Sequence, residues 1–149
     1  MLKRTMLLIL PAIVACNAQA DTVEFCPNPK EIVNTNGVLT VKTESGEGEW
    51  FGILPNPARK VTTFDSAIFL TNEKNVDSVG WLRSCAYNTS TGKPQSENQI
   101  VDLFYRPEVR PYVPVKLAYP PAWEKSEGEL VYFVCRSQDL QGCAFREAK

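Results

Sequence analysis

The sequence contains no histidine, which removes the most common general base and the most common metal ligand of proteins. Serine–histidine–aspartate and cysteine–histidine catalytic arrangements are therefore excluded. The cysteines include no C-x2-C pair that would indicate a zinc site. The only closely spaced glycines, Gly46 and Gly48 in "ESGEGEW", open no helix and form no phosphate loop. We expect no metal and no cofactor.

The chain also lacks an excess of positive charge and a long apolar run. It has 16 basic and 17 acidic residues, for a formal net charge of −1. Nucleic acids and anionic membranes attract clustered positive charge, so we expect no nucleic-acid partner. The longest apolar stretch, residues 5–15, is shorter than the roughly 20 residues of a membrane-spanning helix. We expect no transmembrane segment in the mature chain.

The N-terminus has the features of an export signal. Lys3 and Arg4 precede the apolar stretch, and Ala18-Gln19-Ala20 matches the small-x-small pattern of signal peptidase sites. This pattern predicts a signal peptide over residues 1–20 and one domain over residues 21–149, which is periplasmic or secreted. The alternative is a lipoprotein, because Ile13-Val14-Ala15-Cys16 resembles a bacterial lipobox in which Cys16 is lipidated.

Four cysteines follow the signal: Cys26, Cys85, Cys135 and Cys143. An even number in a small exported chain predicts two disulfides, and four cysteines allow three pairings. The seven residues between Cys135 and Cys143 form a loop that can close locally, which favours this pair and leaves Cys26 with Cys85. The sequence does not decide the connectivity.

The domain is expected to be all-β, an antiparallel sandwich or small barrel with a short N-terminal helical turn. Asn28, Pro29 and Glu31 have the spacing of a helix cap, and Asn36 or Gly37 would end that helix. Short segments rich in β-branched and aromatic residues follow, separated by turn residues. The predicted strands are 38–43, 49–54, 66–71, 79–87, 100–106 and 129–135, and those at 66–71 and 79–87 form a hairpin.

The segment after residue 106 carries five prolines within 15 residues, from Pro107 to Pro121. Proline lacks the N–H group that a central strand donates, so this segment is predicted to be an edge strand, an extended segment or a surface loop. Its arginines and aromatic residues are candidates for a binding edge, since arginine binds carboxylates and phosphates in pairs of hydrogen bonds. The candidates are Arg106, Arg110, Tyr112, Tyr119 and Trp123.

Trp50 and Trp81 lie inside apolar strands, where core burial is expected. An enzyme without histidine would depend on a pair of carboxylates, as glycosidases do. The available acids are Glu44, Glu47, Glu49, Asp65, Asp102 and Glu124. The sequence does not show which of them lie close together.

An ordered set of short motifs resembles a family of small exported bacterial proteins, the domain-of-unknown-function family numbered thirty-seven fifty-seven. The motifs are Cys26-Pro27, Glu49-Trp50-x-Gly52, Phe64 before Ala67, Gly80-Trp81-Leu82, Cys85-Ala86-Tyr87, Val101-Asp102-Leu103-x-Tyr105, Trp123, Cys135 and Cys143-Ala144-Phe145. The resemblance covers nearly the whole mature chain. It implies an exported single domain with matching cysteines, and it implies no activity.

These observations favour a non-enzymatic exported domain that binds another molecule. A protein partner is favoured over a glycan, and a small inhibitor is a variant of the same hypothesis. The alternative is a small carbohydrate-active hydrolase that uses an acidic pair.

Overall fold

The computed structural model describes residues 22–46, 48–93, 99–106, 113–127 and 131–148. The expected signal peptide and Cys16 lie outside these residues. The strands are β1 (Val33–Thr35), β2 (Val38–Lys42), β3 (Glu49–Ile53), β4 (Lys60–Leu70), β5 (Trp81–Ser90), β6 (Gln99–Arg106), β7 (Val115–Leu117), β8 (Trp123–Lys125), β9 (Tyr132–Cys135) and β10 (Phe145–Glu147). Single 3₁₀ turns cover Pro29–Glu31, Pro120–Ala122 and Leu140–Cys143. The predicted all-β class is confirmed.

Within these ranges, no helical segment is long and apolar enough to cross a membrane.

Eight strands form one antiparallel sheet in the order β1-β2-β3-β6-β5-β4-β9-β8, and β7 and β10 form a separate two-stranded ribbon. The strand β6 is central to this order. Its residues 99–103 pair with β5, whereas residues 104–106 pair with β3 on the other side. The strand β6 therefore pairs with different strands along its length, as strands do at the corners of sandwiches and barrels.

The N-terminal helical turn is shorter than predicted. Asn28 caps it by accepting a hydrogen bond from the Lys30 backbone N–H at 3.0 Å, but the turn ends at Glu31. The expected helix end at Asn36 and Gly37 is wrong. Both residues have positive φ values, 54° and 89°, and they form the two-residue turn between β1 and β2. An Asn-Gly pair in this conformation matches the twist of a hairpin.

The predicted strands are all present, with shifted ends. The largest shift is in β4, which begins at Lys60 and not at Ser66. The predicted hairpin of β4 and β5 is confirmed, with three bulges or irregularities in its register. The last predicted strand is described from Tyr132 onwards. Within the proline-rich region, β8 is an outermost strand and β7 lies in the ribbon, as expected of strands beside prolines.

The core lies between the inner face of the large sheet and the ribbon. Phe145 of β10 lies 6.1 Å from Trp50 and 5.1 Å from Tyr105, measured between ring centroids. Phe69 packs against Trp123 and Phe133 further along the same face. The domain thus has two layers of β-structure around one aromatic core.

Two disulfides connect Cys26 with Cys85 and Cys135 with Cys143, as favoured from the loop length. All four cysteines are fully buried. Next to the first disulfide, the Tyr87 hydroxyl donates a hydrogen bond to the Pro27 carbonyl at 2.8 Å. The N-terminal segment is therefore fastened to β5 by a covalent bond and a buried hydrogen bond.

Glu24 fastens the same segment to two other parts of the fold. Its backbone N–H and carbonyl pair with Phe145 of β10. Its carboxylate, only 2% exposed, accepts hydrogen bonds from the backbone N–H groups of Glu44 and Ser45 at 2.9 and 3.1 Å. Burial raises the pKa of Glu24, and this effect outweighs the hydrogen bonds, which lower it.

The two disulfides should contribute unequally to stability. They close loops with sequence separations of 59 and 8 residues, for which the loop-entropy model gives about 4 and about 2.5 kcal/mol. We expect the double variant Cys26→Ala/Cys85→Ala to lose more free energy of unfolding in urea than Cys135→Ala/Cys143→Ala. The second variant is a matched control, since it also truncates two fully buried cysteines. Equal losses would contradict the loop-length argument.

The raised pKa of Glu24 predicts a pH dependence of stability. Its stabilising contribution is present below the ordinary carboxyl pKa of 4.5 and is lost as the pH rises through the raised value of the folded state. We therefore expect the unfolding free energy of the unmodified chain, minus that of Glu24→Gln, to fall from acidic to neutral pH. Glu31→Gln, at an exposed carboxylate, removes the same charge as a control. A value that rises with pH would show that the hydrogen bonds outweigh burial.

Candidate functional site

A cleft opens where β5 and β6 stop pairing. Their last paired residues are Cys85 and Leu103. Beyond this pair, β5 continues along β4, with Trp81 opposite Leu70, while β6 continues along β3. The space between the diverging strand ends is a cleft of about 420 Å³, within the size range of ligand pockets. We call it the corner cleft.

A β-bulge directs Arg83 into the corner cleft. Ile68 of β4 pairs with Ser84, and the next residue, Phe69, pairs with Leu82. Arg83 is thus the extra residue of β5 at this point, between a buried leucine and a buried serine. Its side chain is exposed and lines the cleft. A bulge that redirects a side chain in this way is a common feature of binding sites.

Arg106 lies on the opposite side of the cleft, at the end of β6. Its guanidinium carbon lies 4.4 Å from the ring centroid of Phe51. This cation–π contact restricts the orientation of the side chain, because Phe51 sits in the neighbouring strand β3. Arg106 is exposed and lines the cleft beside Phe104, which is 45% exposed.

Trp81 and Tyr105 complete the walls. Trp81 is half-buried, so part of its indole ring is available to a ligand. The Tyr105 hydroxyl donates a hydrogen bond to the Glu147 carboxylate at 3.0 Å. Burial raises the pKa of Tyr105, and the charges of Glu24 and Glu147 raise it further. The tyrosine therefore stays neutral and does not cancel the positive charge of the arginines.

The described residues that line the corner cleft include two arginines and no aspartate or glutamate. A guanidinium forms paired, charge-assisted hydrogen bonds with carboxylate, phosphate or sulfate groups. Aromatic rings beside the charges provide a flat surface for the rest of a ligand. The arrangement is suited to binding an anionic group.

A second cleft, of about 660 Å³, adjoins the first and shares Trp81 and Val113 with it. Its other described lining residues are Val79, Gly80 and Pro114, and none of the five carries a charge. Gly80 is required here because a β-carbon would overlap the Leu70 carbonyl and the Phe69 ring. Its backbone pairs with Val115 and holds this wall against β7.

The structure brings together only part of the predicted binding edge. Arg106 lies in the corner cleft, whereas Arg110 and Tyr112 lie outside the described residues. Tyr119 is 56% exposed and is not among the described residues that line the cleft.

Trp123 does not lie on an exposed edge, and the expectation that it does is corrected. It is 5% exposed, because it begins β8 opposite Cys135 and its ring packs against Phe69 at 6.1 Å. Its indole Nε1 has no hydrogen-bond partner among the described residues.

Trp81 and Arg83 line the corner cleft but are not among the predicted site residues. Trp50 is buried as expected, with 1% exposure, but Trp81 lies at the beginning of β5, where the sheet no longer covers it. The available signal was "WLRSC", in which an arginine interrupts an otherwise apolar strand. A charge at such a position indicates a bulge or an exposed face.

The candidate acids are spread over the fold. Glu49, Asp65, Asp102 and Glu124 lie on β3, β4, β6 and β8, Glu44 lies in the turn after β2, and Glu47 is outside the described residues. Asp102 accepts a hydrogen bond from the Ser84 hydroxyl at 3.0 Å, and Asp65 accepts one from Ser66 at 2.8 Å. No acid is among the described residues lining the corner cleft or the cleft beside it. This geometry does not favour hydrolysis by a pair of carboxylates.

Comparison with known proteins identifies a family but no characterised relative. No curated protein and no solved structure matches the chain. One family profile, described as "Protein of unknown function (DUF3757)", matches residues 21–146. This range contains β1 to β9, the first two residues of β10 and the four disulfide-bonded cysteines. The chain therefore belongs to this family of proteins of unknown function.

Proposed function

We propose that the chain is a non-enzymatic, exported binding domain that holds an acidic group of a partner protein in the corner cleft. The observation that carries this proposal is the placement of Arg83 and Arg106 beside Trp81 in a cleft whose described lining contains no acid. Hydrogen bonds to charged groups contribute more to binding than neutral ones, about 1.5–3 kcal/mol each.

The adjoining apolar cleft favours a protein over a glycan as the partner. Val79, Val113 and Pro114 offer no side-chain hydrogen bonds to sugar hydroxyls. Aliphatic and aromatic side chains of a protein would instead bury apolar surface there, at about 25 cal/mol per Å². A partner protein can supply both the acidic and the apolar groups.

Export is part of the proposal. Two buried disulfides are typical of proteins that fold in an oxidising compartment. The N-terminal segment has the composition of a signal peptide that ends at Ala20. In the periplasm or outside the cell, the partner would be another envelope or extracellular protein.

The first test removes the positive charge of the cleft. We expect a capped peptide of alternating glutamate and threonine to bind at least tenfold more tightly than its glutamine analogue. Arg83→Gln/Arg106→Gln should abolish this difference and change Tm little, because both side chains are exposed and an exposed cation–π contact is worth only about 0.5–1 kcal/mol. Binding can be followed by tryptophan fluorescence, since Trp50 and Trp123 are buried and Trp81 is the accessible indole.

The matched control is Arg136→Gln/Arg146→Gln, which removes two exposed arginines from other strands or loops. A glutamate preference that falls equally in both double variants would refute the cleft as the site. An oligogalacturonate of equal charge tests the class of partner. If it binds more tightly than the peptide, the partner is an acidic glycan.

The second test concerns export. We expect the chain exported by a bacterial host to have the intact mass of residues 21–149 with two disulfides. It should take up alkylating reagent at four cysteines after reduction and at none before. A diacyl or triacyl mass on Cys16 would instead identify a membrane-anchored lipoprotein. A mass that retains residues 1–20 would contradict the signal peptide.

A further inference from the structure

We propose that the two adjoining clefts bind one extended peptide that carries an apolar side chain and an acidic side chain four residues apart. The inference rests on the proposed function, because it assigns the acidic group to Arg83 and Arg106. It adds the second anchor, the conformation of the ligand and the spacing between the anchors.

The adjacency of the two clefts is the first support. Trp81 and Val113 line both of them, so the positively charged end and the apolar end lie side by side. At the apolar end, Val79 is 44% exposed and faces the same cleft as Pro114. A ligand that fills only the charged end would leave this apolar surface in water, whereas a ligand that spans both ends would bury it.

The distance between the two anchoring residues, Val79 and Arg83, follows from their positions in the sequence. Val79 and Arg83 are four residues apart, on either side of Trp81. At a rise of about 3.3 Å per residue, an extended segment of this length spans about 13 Å. A ligand peptide lying alongside in an extended conformation covers the same distance in four residues. An even spacing also places both of its side chains on one face.

The edges of the cleft favour an extended peptide over a flexible aliphatic chain. The ladder between β5 and β6 ends at Cys85 and Leu103, although both strands continue for several residues. Beyond this pair, residues 81–84 of β5 pair only with β4 and residues 104–106 of β6 only with β3 among the described strands, so each has one unpaired main-chain edge. Next to β5, Gly80 is already paired with Val115 of β7, so the unpaired edge of β5 begins at Trp81. A peptide strand can form main-chain hydrogen bonds with such an edge, which is a common mode of peptide recognition. A fatty acid has the charge and the apolar chain but cannot form these bonds.

The test compares capped peptides of one composition that differ only in spacing. Each contains one leucine and one glutamate in a threonine background. The two lie at positions i and i+4 or at i and i+3, and each spacing is made with the leucine first and with the glutamate first. We expect one direction of the four-residue spacing to bind at least tenfold more tightly than either peptide with three-residue spacing. Val79→Ser should remove this preference, and Arg83→Gln/Arg106→Gln should remove binding of all four peptides.

Val33→Ser is the matched control. Val33 is also an exposed valine, on the outermost strand β1, and it does not line either cleft. This variant should bind all the peptides as the unmodified chain does, and the Tm of each variant shows whether it is folded.

The outcomes separate this inference from the proposed function. Equal binding of all spacings, with the arginine dependence retained, overturns the inference and leaves the proposed function in place. Binding without any arginine dependence overturns both. Decanoate, which has a carboxylate and an aliphatic chain of similar length, tests the main-chain contribution. If decanoate binds as tightly as the preferred peptide, the inference of a peptide strand is wrong.

Discussion

The site depends on one constraint, the division of β6 between two neighbours. Its first part pairs with β5 and its last three residues pair with β3. Because β5 remains bound to β4 beyond this point, the two strand ends must diverge, and the corner cleft is the space between them. The Cys26–Cys85 disulfide lies at the last pair of the β5–β6 ladder. A covalent bond therefore fixes β5 at the position where the cleft begins.

The family motifs come together in the core more than in the cleft. Cys26 and Pro27 contact Cys85 and Tyr87 through the disulfide and the buried hydrogen bond. Trp50, Tyr105 and Phe145 form one group of aromatic contacts that joins the ribbon to the sheet. Of the residues that anchor the proposed ligand, Val79, Arg83 and Arg106 lie outside the quoted motifs. The quoted motifs thus lie mainly in the core, and the three anchors of the proposed ligand lie between them.

Much of the fold was predictable because its long strands have strong local patterns. Runs rich in β-branched and aromatic residues predicted β2 to β6 and β9, and cysteine spacing favoured the observed disulfides. The Asn36-Gly37 pair is itself a hairpin signal, but the cap residues before it predicted a helix that would end there. The strands β7, β8 and β10 have only three residues each, too few to show an alternation of apolar and polar residues. They exist because tertiary pairing supplies their hydrogen bonds.

The site was harder to predict because it depends on how the strands pair with one another. Arg83 reaches the cleft through a bulge, which depends on the register of β4 against β5, and Trp81 is accessible because a ladder ends. The described lining of the cleft contains no carboxylate and no histidine. Arginines remain protonated, the chain has no histidine, and burial holds the pKa of Tyr105 above its usual range. Glu24 has a raised pKa and its charge acts on Tyr105, so the measurement is made on Glu24→Gln. A pH dependence of binding between about pH 5 and 8 in this variant is expected to come from the ligand, since an isolated carboxylate is already ionised there and a phosphate is not fully so. A binding profile that is flat across this range would indicate a carboxylate as the bound group, and a profile that rises near pH 6 would indicate a phosphate.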